Sequence, residues 1–259
     1  MRSLVCFLLI LFPGATVSNA EVRTKTVTYD HAGVTLKGHL AWDDANKEKR
    51  PGVLVVHEFW GLNDYARKRA EQLAGLGYVA IAVDMYGDGK MTDHPQEAGA
   101  MAGQVRENLA TWLGRANAGL MVLRECEFTD PKRIAAIGYC FGGSTVLQLA
   151  YSGADISAAV SFHGSLPIPD STKDIKARIL ICHGAKDTFI PEETIKSVRT
   201  KLDDGKVNYK FVAYPDAVHS FTVPDAEKRG MNGVAYNAEA DRQSWQDMTR
   251  LFSEVFGGK

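Results

Sequence analysis

Cys140 stands inside Gly138-Tyr139-Cys140-Phe141-Gly142-Gly143, with one glycine two residues before it and another two residues after it. An apolar run, Ile134 to Ile137, leads in, and a stretch rich in small and apolar residues leads out to Ala150. This is the G-x-[nucleophile]-x-G spacing of a nucleophile elbow, with sulfur where serine is more usual. A strand that turns directly into a helix strains its central residue and brings the chain close to itself. Glycines on either side remove the Cβ atoms that would clash. The strain lifts the side chain above the sheet, and the helix N-terminus behind it favours negative charge on sulfur. The competing reading is a buried structural cysteine in a Gly-rich strand–helix turn.

Asp187 lies in His183-Gly184-Ala185-Lys186-Asp187, directly after an apolar run, and His219 lies in Asp216-Ala217-Val218-His219-Ser220-Phe221, directly after the last one. Alone, Asp187 reads equally as a cap for the helix starting near Pro191, and His219 as a solvated loop histidine. With the elbow, they give the order nucleophile, acid, histidine used by α/β-hydrolases. The set is suited to acyl transfer. His219 takes the thiol proton or stabilises thiolate, then protonates the leaving group. Asp187 fixes the imidazole tautomer and stabilises imidazolium. The backbone N–H of Phe141 donates to the oxyanion, and the second donor is expected at the N–H of Phe59.

The elements that must position these groups follow from hydrophobic patterning. Val22 to Tyr29 and Val34 to Trp42 alternate as an antiparallel hairpin around a His-Ala-Gly turn. Pro51 to His57, Tyr78 to Val83, Ile134 to Ile137, Ile156 to Phe162, Ala177 to Cys182 and Asn208 to Tyr214 read as strands, most of them buried on both faces. Helical spacing covers Tyr65 to Leu76, Pro95 to Arg124 with a break near Gly114, Glu192 to Leu202, and Asn237 to Phe256. Strands alternating with helices after a hairpin predict an α/β-hydrolase fold: a mostly parallel sheet flanked by helices, without a large cap domain. Reactive groups then belong beyond the carboxyl ends of the strands, where Glu58, Asp84, Cys140, His163, Asp187 and His219 fall.

The chain of 259 residues carries 30 Lys+Arg against 31 Asp+Glu, for a net charge of -1. No long basic or acidic block is present, so nucleic acid and anionic membrane surfaces are poor candidate partners. Met1 to Ala20 has the form of a secretory signal: Arg2, an apolar stretch from Leu4 to Phe12, a Pro13-Gly14 break, and small residues before a cut after Ala20. That apolar run is too short to span a bilayer. One domain from Glu21 to Lys259, exported to the periplasm or secreted, is expected. Beyond Cys6 the cysteines are Cys126, Cys140 and Cys182, an odd set in which Cys140 has a reason to be free and a Cys126–Cys182 disulfide is arithmetically open.

Taken together, Val53 to Asn63, Gly77 to Gly87, Ile134 to Gly143, Ile181 to Pro191 and His219 to Pro224 resemble the dienelactone hydrolase family of α/β-hydrolases. The resemblance covers nearly all of the chain after the leader. It implies a cysteine hydrolase of carboxylic esters or lactones that needs neither metal nor other cofactor. Its catalytic set is Cys140, Asp187 and His219, with Glu58 as an accessory acid that contacts the resting thiol until substrate displaces it. The family's namesake enzymes grip a substrate carboxylate with two arginines, and Asp88 and Val223 stand at those positions here. With Phe59, Trp60, Tyr86, Phe141, Phe162 and Phe221 near the strand ends, an uncharged small-molecule ester or lactone is the expected substrate. Trp60, Tyr86, His163 and Phe221 are the candidate pocket residues.

Three other functions fit parts of the pattern. A non-catalytic small-molecule binder would account for the missing arginines. A thiol-redox protein would use Cys140, with only Cys126 or Cys182 available as a resolving thiol. A metal site from His57, His163, His183 and His219 has no helical pair such as HExxH to support it. The oligomeric state is not legible in the sequence.

Overall fold

The computed structural model describes residues 21–45 and 47–257, and the predicted leader lies outside them. Eight strands form one sheet in the order β1-β2-β4-β3-β5-β6-β7-β8. Strands β1 (Val22–His31) and β2 (Val34–Asp43) are the predicted hairpin, and β2 pairs antiparallel with β4 (Val79–Val83). From there the ladder is parallel through β3 (Arg50–Val56), β5 (Thr129–Tyr139), β6 (Ala158–Phe162), β7 (Arg178–Gly184) and β8 (Tyr209–Tyr214). This is the α/β-hydrolase arrangement that the alternation of strands and helices implied.

Side-chain alternation divides the core between the two sheet faces. Leu54, Val56, Ile81, Ile134 and Ala136 pack on one side with residues of α2 (Pro95–Arg106), α3 (Leu109–Glu125), α4 (Phe141–Tyr151) and α5 (Glu192–Asp204). Val53, Val55, Ala80, Ala135 and Ile137 pack on the other with α1 (Asp64–Gly75) and α6 (Ala238–Phe256). Sandwiching explains why β3 and β4 are buried at every position, and why, after Arg50, their sequences are continuous apolar runs.

The chain leaves β3 in one direction to make β4, then crosses back over β3 to make β5. The crevice outside the carboxyl ends of β3 and β5 is therefore the topological switch point, where open α/β sheets bind ligands. Glu58 follows β3 and Cys140 follows β5, so connectivity alone brings them to one place.

The predicted helix over 95–124 breaks at a different point from Gly114. Helix α2 ends at Arg106, and the Asn108 side chain caps α3 by accepting from the Thr111 N–H at 3.0 Å. Gly114 lies inside α3, where an added Cβ would sit 2.1 Å from the His31 ring. Glycine there serves close packing of α3 on the hairpin. A short 3-10 helix, Ala226–Arg229, in the long connection from β8 to α6 was not foreseen.

Candidate active site

At the elbow, Cys140 has φ 50° and ψ -111°, outside the regions L-residues favour, and its N–H donates to the Phe162 carbonyl at 3.0 Å. A Cβ on Gly138 would lie 2.0 Å from the Gly142 carbonyl oxygen, and one on Gly142 would lie 2.1 Å from that of Val56. Both glycines are thus required by close approach of backbone to backbone. Helix α4 begins at the next residue, Phe141. The N–H groups of Phe59 and Phe141 have no acceptor among the described residues, which leaves both free to donate to a bound group.

The structure brings Cys140, His219 and Asp187 together from three strand ends. His219 Nε2 lies 3.2 Å from Cys140 Sγ, and its Nδ1 lies 2.8 Å from Asp187 Oδ2. Asp187 does not cap α5: its second oxygen accepts from the Phe189 N–H at 2.9 Å, which holds the carboxylate in place. Burial pulls the His219 pKa down, but the charge Cys140 can carry and the hydrogen bond to Asp187 outweigh it and raise the value to about 10. The ring is therefore poised to keep a proton beside sulfur.

Glu58 is 2% exposed and lines the cleft. Burial pushes its pKa up, opposed by the Ser220 hydroxyl, which donates to Oε1 at 2.9 Å, and by His219 and Arg229. The implied contact between Glu58 and the resting thiol is absent among the described hydrogen bonds. Sγ is turned to His219, and Ser220 engages the carboxylate instead. Ser220 was not singled out in the sequence, although its place directly after His219 is the available signal.

The loop after β3 is braced from below. His57 Nδ1 donates to the Glu58 carbonyl, and its Nε2 accepts from the Met85 N–H at 3.2 Å. Burial lowers its pKa to about 4, consistent with a neutral bracing ring. Tyr86 donates to the Phe59 carbonyl at 2.9 Å. Asp84 accepts from the N–H groups of Tyr86, Gly87 and Gly89, so this strand-end acid is structural.

A cleft of about 210 Å3 opens over Cys140 and His219, lined also by Phe59, Trp60, Phe189, Met231 and Val234. Tyr86, His163 and Phe221 do not line the cleft: they pack beneath it, with His163 and Phe221 wholly buried. Val223 lines the cleft, while Asp88 is exposed and does not. Two arginines that sequence reading passed over also line it. Arg106, at the end of α2, stacks on Phe141 with its guanidinium carbon 5.2 Å from the ring centroid. Arg229, in the 3-10 helix, lies 4.2 Å over Trp60. Neither has a carboxylate ion-pair partner among the described residues.

Cys126 and Cys182 are both free thiols, so the open disulfide pairing is not made. They belong to core clusters on opposite faces of the sheet, and neither lines the cleft. Burial pushes the Cys182 thiol up to about 12. Among the described residues no cluster of His, Cys, Asp and Glu is placed to hold a metal ion, and no helix is long and apolar enough to cross a membrane.

A model described as the dienelactone hydrolase family matches residues 36–256. The chain is 31% identical over 204 residues to a protein of Aquifex pyrophilus named Protein usf, covering 75% of this chain and 85% of that one. A solved structure titled m3DLH is 40% identical with a TM-score of 0.88, over 90% of this chain and 98% of the other. Another, titled a dienelactone hydrolase-like promiscuous phosphotriesterase from metagenomic libraries, is 39% identical with a TM-score of 0.87, over 92% and 99%.

Proposed function

The chain belongs to the dienelactone hydrolase family and is a hydrolase of ester or lactone bonds, and on that premise we propose that Cys140, His219 and Asp187 carry the reaction through an acyl-enzyme. The observation that carries the reading is the unbroken Cys140–His219–Asp187 chain, 3.2 and 2.8 Å long in its two links, at the floor of the cleft.

In this reading Cys140 Sγ attacks the ester carbonyl carbon while its proton resides on His219 Nε2. The carbonyl oxygen becomes an oxyanion that accepts from the N–H groups of Phe141 and Phe59. Collapse breaks the bond to the alcohol oxygen, which takes the proton from Nε2. Water then gives a proton to Nε2 and adds to the thioester, and the acid leaves as Sγ departs. Asp187 holds Nδ1–H throughout and stabilises the imidazolium. Glu58 is the accessory acid, drawn back from sulfur by Ser220.

Arg106 and Arg229 change the expected substrate. Two guanidinium groups that make no ion pair among the described residues, although Arg229 acts electrostatically on Glu58, favour an ester or lactone that carries an anionic group, in place of the uncharged one expected from Asp88 and Val223. Export is part of the same proposal, supported by the leader-like run Met1 to Ala20 and tested by sequencing the N-terminus of the protein recovered from cell fractions.

The test is hydrolysis of a short-chain p-nitrophenyl ester by the wild type and by Cys140→Ala. Turnover in the wild type that is lost in the variant supports the reading. Turnover that survives in the variant contradicts it.

A further inference from the structure

We propose that Arg69, a buried residue of α1 outside the cleft, positions His219 through Thr222 and His163. The proposal rests on the assignment of His219 as the base.

Arg69 is 7% exposed, and its guanidinium carbon lies 5.2, 5.6 and 5.1 Å from the ring centroids of Tyr65, Tyr139 and Trp245. Its carboxylate partner is Asp241 of α6. A single buried ion pair is weak evidence of stabilisation, because desolvation offsets the attraction. What Arg69 does with its other donors is more informative. Nη2 also donates to the Thr222 carbonyl at 2.9 Å, and Nε donates to Tyr65 Oη at 3.2 Å. Thr222 is three residues beyond His219, in a segment where Ser220 has φ 55° and the backbone of His219 itself bonds to Gly233 and Ala235. Arg69 adds a further tie, at Thr222, to the loop that carries His219.

A hydrogen-bond chain continues from the same side chain. Tyr65 Oη lies 2.6 Å from Thr222 Oγ1, which lies 2.7 Å from His163 Nε2. Guanidinium only donates, so Tyr65 Oη accepts from Arg69, and the chain of hydroxyls ends on the His163 ring at Nε2, whose other nitrogen, Nδ1, has no hydrogen-bond partner among the described residues. His163 is wholly buried and held neutral, its ring edge-on to His219 with centroids 5.4 Å apart. Phe189 packs on His219 as well, at 5.0 Å. A neutral, oriented His163 limits rotation of the His219 ring without placing a second cation beside it.

The test compares Thr222→Val, which keeps the shape and loses the hydroxyl, with Thr222→Ser, which keeps the hydroxyl. An Arg69→Met/Asp241→Asn double variant removes the cation without stranding the buried carboxylate. Two readouts are taken on each full-length protein: kcat and KM for the p-nitrophenyl ester, and the pH profile of Cys140 alkylation by iodoacetamide. The titratable groups facing His219 are Cys140, Asp187, Glu58, His163 and His183, and none of these is substituted.

Thr222→Val and the double variant are expected to lose about 10-fold or more in kcat with KM little changed, as slight misplacement of a reacting group does. The alkaline limb of alkylation shifts to lower pH in both, and Thr222→Ser behaves as wild type. Lower thermal stability with unchanged kcat and an unchanged pH profile would show a merely structural role and overturn the proposal. Alkylation reports the Cys140–His219 pair without substrate, so a shift there in a protein with no esterase activity refutes the hydrolase mechanism and keeps the positioning role. Cysteine-dependent hydrolysis with identical profiles in all variants does the reverse.

Discussion

Ser220, the residue after His219, donates its hydroxyl to Glu58 at 2.9 Å, so the loop that carries His219 also holds the buried acid of the cleft. The two groups come from opposite ends of the chain, and the bond locks the loop after β3 to the connection after β8. Ser220→Ala leaves Glu58 without that donor, and an unsatisfied buried polar group costs about 1–3 kcal/mol. Glu58 already has a raised pKa, so its charged form is the penalised one. The loss of stability in Ser220→Ala is therefore smallest where Glu58 is protonated in both states, since a neutral carboxyl accepts more weakly, and grows as pH rises. Melting temperatures of the two proteins compared at about pH 4 and about pH 8 check this. An equal loss at both values contradicts it.

The His219 pKa, raised to about 10, sets a second expectation. A group whose folded value lies above its ordinary value of 6.5 contributes stability that is complete below that value. The contribution is lost as pH rises through about 10. Asp187→Asn removes one of the two partners that raise it, so the alkaline limb of Cys140 alkylation moves to lower pH. The kcat for ester hydrolysis falls on the order of 10^3-fold or more, since the imidazole loses its tautomer-fixing partner.

Charge selectivity is read by truncating the cleft arginines. Arg106→Ala and Arg229→Ala are each expected to lower kcat/KM for an ester bearing a carboxylate by about 10-fold, the low end for a hydrogen bond to a charged group. A neutral ester of the same size is expected to change by no more than about 3-fold. Equal losses on both substrates contradict a direct contact with an anionic group.

The elbow glycines are tested through stability. Gly142→Ala places a methyl group against the Val56 carbonyl oxygen, a rigid backbone atom. Overpacking of that kind costs on the order of 3 kcal/mol, and a clear fall in the urea midpoint is expected. An unchanged midpoint would contradict a close backbone crossing at the elbow.

The sheet was legible because its central parallel strands are buried on both faces and so leave apolar runs, as Pro51 to Val56 and Val79 to Val83 do, while the edge strand β8 is only partly buried. The geometric meeting of Cys140, His219 and Asp187 was legible for a related reason: strand ends in a parallel sheet share one edge, so order along the chain maps to place in space. Gly114 shows where such reading stops. Its value lies in a long-range approach to His31, which local pattern reports only as a helix breaker. Arg106 and Arg229 lie on a helix end and in an irregular loop, where nothing in the local sequence indicates which way a long side chain turns. The strand-end aromatics Tyr86 and Phe221 were assigned to the pocket by position, and packing turned both beneath it. The Glu58–Ser220 bond joins residues 162 apart and has no sequence period to announce it.

In the proposed mechanism the acyl group passes through Cys140. Intact-mass analysis of protein quenched in acid during turnover of a p-nitrophenyl ester tests it most directly. One acyl adduct is expected, mapped by peptide digestion to Cys140 and absent from Cys140→Ala. Turnover with the adduct on another residue, or undiminished turnover in Cys140→Ala, would contradict it.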